Sequence, residues 1–330
     1  MWARGIAGRW LAAGAVAGAL LPAAAAPASG QATTWSIVRS PSPGQAPQLI
    51  GVSCVSAAAC TAVGVEGTGR DESATLVESW NGTSWSVVPS PSPGQRPQLK
   101  GVSCVSVTWC MAVGYYYSGH DRTLAELWNG TSWSVVHAPS PGTDDNLVGV
   151  SCATATACTA VGSYGAGRAG VHTLIESWDG ASWSLARSPN PSHDGDYLYS
   201  VSCTSATACT AVGAYANLRT LAEDWDGTSW SVVPSTSPGS DSYLGSVSCV
   251  SATACTAVGS RGLAVTRTLV ESWNGTSWSR VTSPSRSPYW DPLTGVSCVS
   301  ATACTAAGAR ENAGQHVKTL IETSTAAANR

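Results

Sequence analysis

Short runs of alternating apolar and polar residues, separated by turn-forming residues, follow one another along most of the chain. In one stretch they predict four strands, near residues 244–250, 255–259, 268–273 and 277–281. Asn-Gly lies between the last two, where it supplies the positive φ angles of a tight hairpin. No stretch keeps a 3.6-residue period, so the pattern predicts strands and disfavours helical repeats.

The same unit occurs six times. Its marker is Gly-Val-Ser-Cys-Val-Ser or a close variant, and successive first cysteines are 50, 48, 51, 46 and 49 residues apart. This period overlaps that of helical HEAT repeats, but four strands per unit match the blades of propellers such as WD40 and kelch proteins. We therefore predict an all-β fold, a six-bladed β-propeller with four antiparallel strands per blade.

The two ends of the repeat region supply one blade between them. The last unit stops after its third strand, at residues 318–322, whereas residues 34–38 match a fourth strand. We predict that this N-terminal strand joins the C-terminal blade and closes the ring, which removes a sheet edge. The propeller then spans residues 29–324, with repeats beginning near 48, 98, 146, 197, 243 and 292, followed by a short tail at 325–330.

Residues 1–28 have the features of a signal peptide. Arg4 and Arg9 precede an apolar run at 11–21, and small residues near 24–28 offer cleavage sites. The apolar run is short for a membrane span. We expect a secreted, extracellular monomer with no membrane span.

Twelve cysteines in an exported chain indicate a disulfide framework. Each Cys-x5-Cys pair across a hairpin would stabilise the fold by about 2–2.5 kcal/mol on the chain-entropy model. Neither paired zinc ligands nor Cys-x-x-Cys occurs, so no metal and no cofactor is predicted. The predicted pairs are Cys54/Cys60, Cys104/Cys110, Cys152/Cys158, Cys203/Cys209, Cys249/Cys255 and Cys298/Cys304, each within one blade.

Composition narrows the choice of partners. Charged residues make up 11% of the chain and the net charge is −3, with no basic stripe, so no nucleic-acid partner is predicted. Fifteen tryptophans are present and no phenylalanine. Pairs of tryptophans fall on the third and fourth strands, and we expect them to dominate the core between blades.

Two further features recur in the units. A glutamate lies on each third strand, and six equivalent carboxylates favour a half-buried hydrogen-bonding role over catalysis. Asn81, Asn129 and Asn274 lie in glycosylation sequons, but Asp179 and Asp226 take the same place elsewhere, which favours a turn role. The glutamates are Glu78, Glu126, Glu176, Glu223, Glu271 and Glu322.

The repeat resembles a known group of sequences. Gly-Val-Ser-Cys, Cys-Thr-Ala-Val-Gly and Ser-Trp-Asn-Gly-Thr-Ser-Trp together resemble repeats of secreted actinobacterial proteins, most of them uncharacterised. The Trp-Asp-Gly hairpin at 177–183 is similar to the Asp-box of sialidase-type propellers, with different spacing around its Asp. The kelch likeness is one of blade size and Trp placement. The resemblance covers residues 33–324 and implies a propeller and export, with no catalytic residue.

The variable loops are the candidate site. In a four-stranded meander the 2–3 and 4–1 loops lie on one face, and they vary between units while the opposite turns hardly do. Aromatic rings beside polar groups suit sugar or peptide recognition, although the same residues could simply pack on blade edges. The candidate binding residues are Tyr115, Tyr116, Tyr117, His120, Tyr164, Tyr197, Tyr243 and Trp290.

These features predict a non-enzymatic binding module whose partner is an extracellular glycan or protein. The alternative is a glycan-active hydrolase or lyase, which would need two carboxyl groups at a set separation in the central pocket. No residue is assigned a catalytic role.

Overall fold

The computed structural model describes residues 37–69, 72–238, 241–263, 265–285, 290–311 and 316–324. Residues up to Val38 form one unit, and residues 39–330 form a second. The predicted signal peptide, most of the predicted closing strand and the C-terminal tail lie outside the described residues. Of the closing strand only Ile37 and Val38 are described; neither lies in a strand, and Ile37 is fully exposed. Within the described ranges, no helix is long and apolar enough to cross a membrane.

The described chain forms a six-bladed β-propeller, as predicted, with 23 strands. The first strands of the blades are β1 (Gln45–Ser56), β5 (Gln95–Ser106), β9 (Asn146–Thr154), β13 (Asp196–Ser205), β17 (Ser242–Ser251) and β21 (Leu293–Ser300). The second strands are β2 (Ala59–Gly69), β6 (Trp109–Tyr117), β10 (Ala157–Gly165), β14 (Ala208–Tyr215), β18 (Ala254–Arg261) and β22 (Ala303–Glu311). The third strands are β3 (Glu72–Trp80), β7 (Asp121–Trp128), β11 (Val171–Trp178), β15 (Arg219–Trp225), β19 (Arg267–Trp273) and β23 (Val317–Thr323). The fourth strands are β4 (Trp85–Val87), β8 (Trp133–Val136), β12 (Trp183–Ala186), β16 (Trp230–Val232) and β20 (Trp278–Val281).

Each blade is an antiparallel meander, with four strands in the first five blades and three described strands in the sixth. The paired cysteines are direct cross-strand neighbours on the first and second strands. Disulfides of this number are typical of proteins in an oxidising compartment. The six disulfides join Cys54 to Cys60, Cys104 to Cys110, Cys152 to Cys158, Cys203 to Cys209, Cys249 to Cys255 and Cys298 to Cys304, as predicted.

The second cysteine of a pair also packs against the preceding blade. The Cys110 sulfur is buried 3.8 Å from the Thr61 hydroxyl of the preceding blade, and Cys158 is buried in one cluster with Met111 of the preceding blade. Cys60, in the first blade, is half-buried and has no such contact with a preceding blade in the described ranges. From the second blade onward, the second cysteine therefore also packs between blades.

The first strands are innermost, because those of the first to sixth blades pack on one another in succession. At each of these five junctions a serine hydroxyl accepts the N–H of the following blade's first cysteine, as Cys104 donates to Ser53 at 3.0 Å and Cys298 to Ser248 at 3.0 Å. Among the described residues no such bond joins the sixth blade to the first. Leu49 of the first blade is correspondingly 39% exposed, whereas its equivalents, such as Leu99, are fully buried.

The core between blades is mainly aliphatic. In the second to fifth blades two leucines each, such as Leu147 and Leu174, are almost completely buried with the Ala-Val pairs of the second strands. Trp178 and Trp183 belong to the same cluster and are 6% and 5% exposed. The expectation that tryptophans dominate the core is therefore wrong, because the largest completely buried side chains are leucines, an isoleucine and a methionine.

A β-bulge in every first strand shapes the inner end of the blade. The pairing with the second strand skips one residue, as between Leu99 and Gly101, so Lys100 has no partner across the sheet. Only glycine fits opposite each bulge, because any side chain would collide with the backbone of the first strand. A Cβ on Gly114, for example, would lie 1.9 Å from the Gln98 carbonyl oxygen. The Ala-Val-Gly run of the repeats, Ala-Ala-Gly in the sixth, therefore marks the position of the bulge.

Candidate functional site

The 2–3 and 4–1 connections lie on one face of the propeller and are joined by backbone hydrogen bonds. The N–H of Asp145 donates to the Asp121 carbonyl at 3.1 Å, and the N–H of Asp291 donates to the Thr266 carbonyl at 2.9 Å. On the opposite face the Trp178 indole donates to the Ala155 carbonyl at 3.1 Å, which ties the 3–4 hairpin to the 1–2 turn. The varied loops thus share one face, which we call the variable face.

The six bulged residues occupy the same register on the innermost strands, near their variable-face ends. We call this set the bulge ring. Neighbouring strands are close here, since a Cβ on Gly101 would lie 3.3 Å from the Gly149 Cα, and one on Gly149 would lie 3.3 Å from the Ser200 Cα. The bulge ring consists of Ile50, Lys100, Val148, Tyr199, Gly245 and Thr294.

Tyr199 of the bulge ring is the centre of a tyrosine cluster with Tyr197 and Tyr243. Its ring stacks on Tyr197 with centroids 6.3 Å apart and meets Tyr243 of the next blade edge-on at 6.1 Å. A Cβ on Gly245 would lie 3.4 Å from the Tyr243 ring, at ordinary contact distance, so this glycine packs beside the cluster. All three rings are half-buried, and none of their hydroxyls has a hydrogen-bond partner within the described part of the chain.

Lys100 occupies the bulge ring two blades before Tyr199. Its ammonium lies 5.6 Å from the centroid of the Tyr115 ring. Farther out on the same blade, the Arg96 guanidinium lies 4.7 Å from the centroid of Tyr117. The second blade therefore brings two cations and two aromatic rings to the variable face.

Burial changes the ionisation of these groups. Desolvation lowers the pKa of Lys100. It also raises the pKa of Tyr199, with smaller contributions from Tyr197 and Tyr243. The pKa of Tyr115 is raised mainly by burial and then by Asp121. The site therefore presents neutral phenols beside a partly dehydrated ammonium.

The structure separates the predicted site residues into two groups. Tyr197 and Tyr243 come together, and Tyr115 lies beside Lys100. Tyr116 and Tyr164, by contrast, pack on hydrophobic clusters between blades, as in the alternative interpretation of edge packing.

The remaining predicted residues lie elsewhere on the variable face. Tyr117 faces Arg96. The carbonyl of His120 accepts the N–H of Ser118 at 2.9 Å, and Trp290, 38% exposed, forms a bridge with Thr266. The structure does not join these three to the tyrosine cluster through a described contact.

The recurrent glutamates are more deeply buried than predicted. Glu78, Glu126, Glu176, Glu223 and Glu271 are each 0% exposed. In most blades a serine of the preceding 4–1 linker donates to the carboxylate, as Ser188 does to Glu223 at 2.9 Å and Ser40 to Glu78 at 2.7 Å. These carboxylates hold the linkers on the blades, and their burial removes them from contact with a ligand in solution.

The turn role predicted for the Asn-Gly and Asp-Gly positions is present. The Asn81 side-chain oxygen accepts the N–H groups of Thr83 and Ser84 at 3.0 and 2.9 Å, and Asp226 makes the same bonds. In the described ranges, no group of three or more His, Cys, Asp or Glu side chains is arranged to hold a metal ion.

Sequence reasoning missed Tyr199 and Lys100. The signal lay in the first strand, where residues before and after the bulge repeat closely while the bulged position is Ile, Lys, Val, Tyr, Gly and Thr in turn. Variation at one position of an otherwise repeated strand indicates a position that the scaffold does not constrain.

Solved structures share this fold. The fucose-specific lectin from Aleuria aurantia matches with a TM-score of 0.52 at 9% identity, over 86% of this chain and 97% of the lectin. A protein of unknown function from Dyadobacter fermentans matches with 0.53 at 11%, over 84% and 95%. YCF48 from Cyanidioschyzon merolae matches with 0.50 at 12%, over 86% and 97%. Identities this low show the fold alone.

No family model matches the chain, and no curated protein matches its sequence. The structure shows a six-bladed propeller with paired tryptophans and cysteines. The resemblance to actinobacterial repeat proteins and to Asp-box or kelch blades stays a prediction.

Proposed function

We propose that the protein is a secreted, non-enzymatic binding module that recognises a saccharide on the variable face at the tyrosine cluster. The observation that carries the proposal is the set of three half-buried rings whose hydroxyls have no hydrogen-bond partner in the described part of the chain. Sugars combine apolar C–H faces with hydroxyl groups, so rings can stack on them while phenols donate and accept hydrogen bonds.

Two further observations support a binding role. The rigid blades hold the three rings before any ligand arrives, which lowers the entropic cost of binding. The Aleuria aurantia lectin, which shares the fold, is named for fucose specificity. Export is supported by six disulfides.

Replacing Tyr199 with alanine is expected to weaken saccharide binding at least tenfold. Tyr199 is the ring shared by both contacts of the cluster, and truncating a central aromatic residue of a binding site often costs about 2 kcal/mol or more. Glycan-array screening of the wild-type protein, followed by isothermal titration with the best ligand, measures the effect.

Two variants make the test specific. Tyr199→Phe keeps the ring and should lose only the part of the affinity that depends on the hydroxyl. Tyr117→Ala removes a tyrosine from the same face outside the cluster and should bind saccharide far more tightly than Tyr199→Ala does. Binding that survives Tyr199→Ala, or a protein ligand in place of any saccharide, would contradict the proposal.

A further inference from the structure

Lys100 is a half-buried cation on the innermost strand of the second blade. It is one of only two lysines in the chain. No carboxylate lies within ion-pair distance of it in the described ranges, and burial is the cause of its lowered pKa. Burial removes part of the water around the ammonium group, and no carboxylate replaces that water. The charged form of Lys100 is therefore less favourable than in water.

The Tyr115 ring offsets only part of the free energy that Lys100 loses through burial. A cation 5.6 Å from an aromatic centroid gains modestly from the ring quadrupole. The ring covers one side of the ammonium, whose three N–H donors have no acceptor among the described residues. An incoming anion could accept those donors without displacing an internal ion pair.

Lys100 and the tyrosine cluster belong to one continuous surface. Gly101, Gly149 and Ser200, the residues that follow three bulge positions, touch one another in succession around the axis. Lys100, Val148 and Tyr199 are therefore neighbours in turn on three adjacent strands. Lys100 and Tyr199 are therefore separated by one position of the bulge ring, on the first strands of the second and fourth blades.

We propose that this surface binds an anionic saccharide, with a sugar ring on the tyrosine cluster and the acidic group of an adjacent sugar on Lys100. The inference rests on the proposed function and adds to it the charge of the ligand. Arg96, over Tyr117 on the same blade, gives this side of the face a second positive charge and so favours an anion over a neutral ligand.

An array of matched saccharides tests the inference. It carries uronic-acid oligosaccharides beside their methyl esters, and sulfated galactosides beside the unsulfated forms, so that each pair differs only in charge. The wild-type protein is expected to bind the charged member of a pair at least tenfold more tightly, with affinity that falls as salt is raised. The two pairs distinguish a carboxylate from a sulfate.

Lys100→Met keeps the apolar stem and removes the charge. We expect it to lose this preference and its salt dependence, so that the charged and methyl-ester members of a pair bind equally. Lys318→Met removes the other lysine and serves as the matched control, which should retain the preference.

The outcomes separate this inference from the proposed function. Equal binding of charged and neutral members, unaltered by Lys100→Met but lost in Tyr199→Ala, would overturn the anionic ligand and leave saccharide binding in place. Failure of the wild-type protein to bind any saccharide on the array would overturn both.

Discussion

Lowering the pH from 8 to 5 is expected to raise the melting temperature of this protein. Burial raises the pKa of Glu176 and of Glu223 from 4.5 to about 8, and that of Glu126 to about 7. In the unfolded chain these groups titrate near the ordinary value. Between pH 4.5 and 8 the folded protein therefore binds more protons than the unfolded chain, so its stability falls as the pH rises through that window.

Glu176 is expected to make the largest single contribution. Neither of its carboxylate oxygens has a hydrogen-bond partner in the described part of the chain. Ala138 stands where the linker serines stand in other blades, such as Ser90 opposite Glu126. Asp145 also disfavours the charged form of Glu176. A shift of this size corresponds to several kcal/mol across the window, since one pKa unit is about 1.4 kcal/mol.

Two substitutions test this explanation. Glu176→Gln removes the titrating group, so it should raise the melting temperature at pH 8, have little effect at pH 5 and flatten the pH profile between them. Ala138→Ser restores the missing donor, and a hydrogen bond to a charged group should stabilise the protein at pH 8 by about 1.5–3 kcal/mol. Differential scanning calorimetry at pH 5, 6, 7 and 8 measures both effects.

The control for these variants lies in the next blade. Ser188 already donates to Glu223 at 2.9 Å, so Ser188→Ala should destabilise the protein at pH 8 and leave it less changed at pH 5. A pH profile of Glu176→Gln that is parallel to that of the wild type would show that Glu176 does not carry the effect.

The fold could be predicted because the repeat encodes it locally. The Cys-x5-Cys pair places a hairpin, Asn-Gly or Asp-Gly places the next one, and the regular period places the blades side by side. For the fifth blade the predicted strand at 268–273 differs from the observed Arg267–Trp273 by one residue. Information of this kind is contained in a single unit and is repeated six times.

The candidate site was only partly predictable, because it depends on contacts between units. Tyr197 and Tyr243 could be named from their loops, but the contacts of Tyr199 with both depend on its bulged position and on the neighbouring blade. Tyr116 looks similar to Tyr115 in sequence, yet alternation along the strand turns it into the cluster between blades. Which side of a strand faces the axis is set by packing between blades.

The cysteines and the glutamates illustrate the same limit. The pairing of Cys104 with Cys110 is local and was predicted, but the contact of Cys110 with Thr61 joins residues 49 positions apart and was not. The recurrence of the glutamates indicated a scaffold role, but complete burial results from linkers that cross over them, and the linker donors, such as Ser188 for Glu223, lie 35 or more residues away. Local sequence patterns do not show contacts between residues so far apart. For this reason the glutamates were predicted to be only half-buried.

Replacing Trp35 with alanine is expected to destabilise the protein by about 3–5 kcal/mol, the usual cost of truncating a buried tryptophan. The sequence predicts residues 34–38 as the fourth strand of the sixth blade. In the fifth blade the tryptophan at the equivalent repeat position, Trp278, is a core residue that is 5% exposed.

The linker that follows residues 34–38 supports this prediction. Ser40 comes five residues after Trp35 and donates to Glu78 at 2.7 Å. Ser283 comes five residues after Trp278 and donates to Glu322 at 2.6 Å. The chain after the predicted strand thus follows the path of the other linkers.

Trp278→Ala is the reference variant, because Trp278 occupies the equivalent position of the fifth repeat and is buried in the core. Urea denaturation of the two variants should give similar losses of unfolding free energy. The combination with Ser40→Ala should cost more than Trp35→Ala alone, since strand and linker are held by separate contacts. If Trp35→Ala unfolds at the wild-type urea concentration while Trp278→Ala does not, residues 34–38 do not complete the sixth blade, and the ring is held by the inner strands alone.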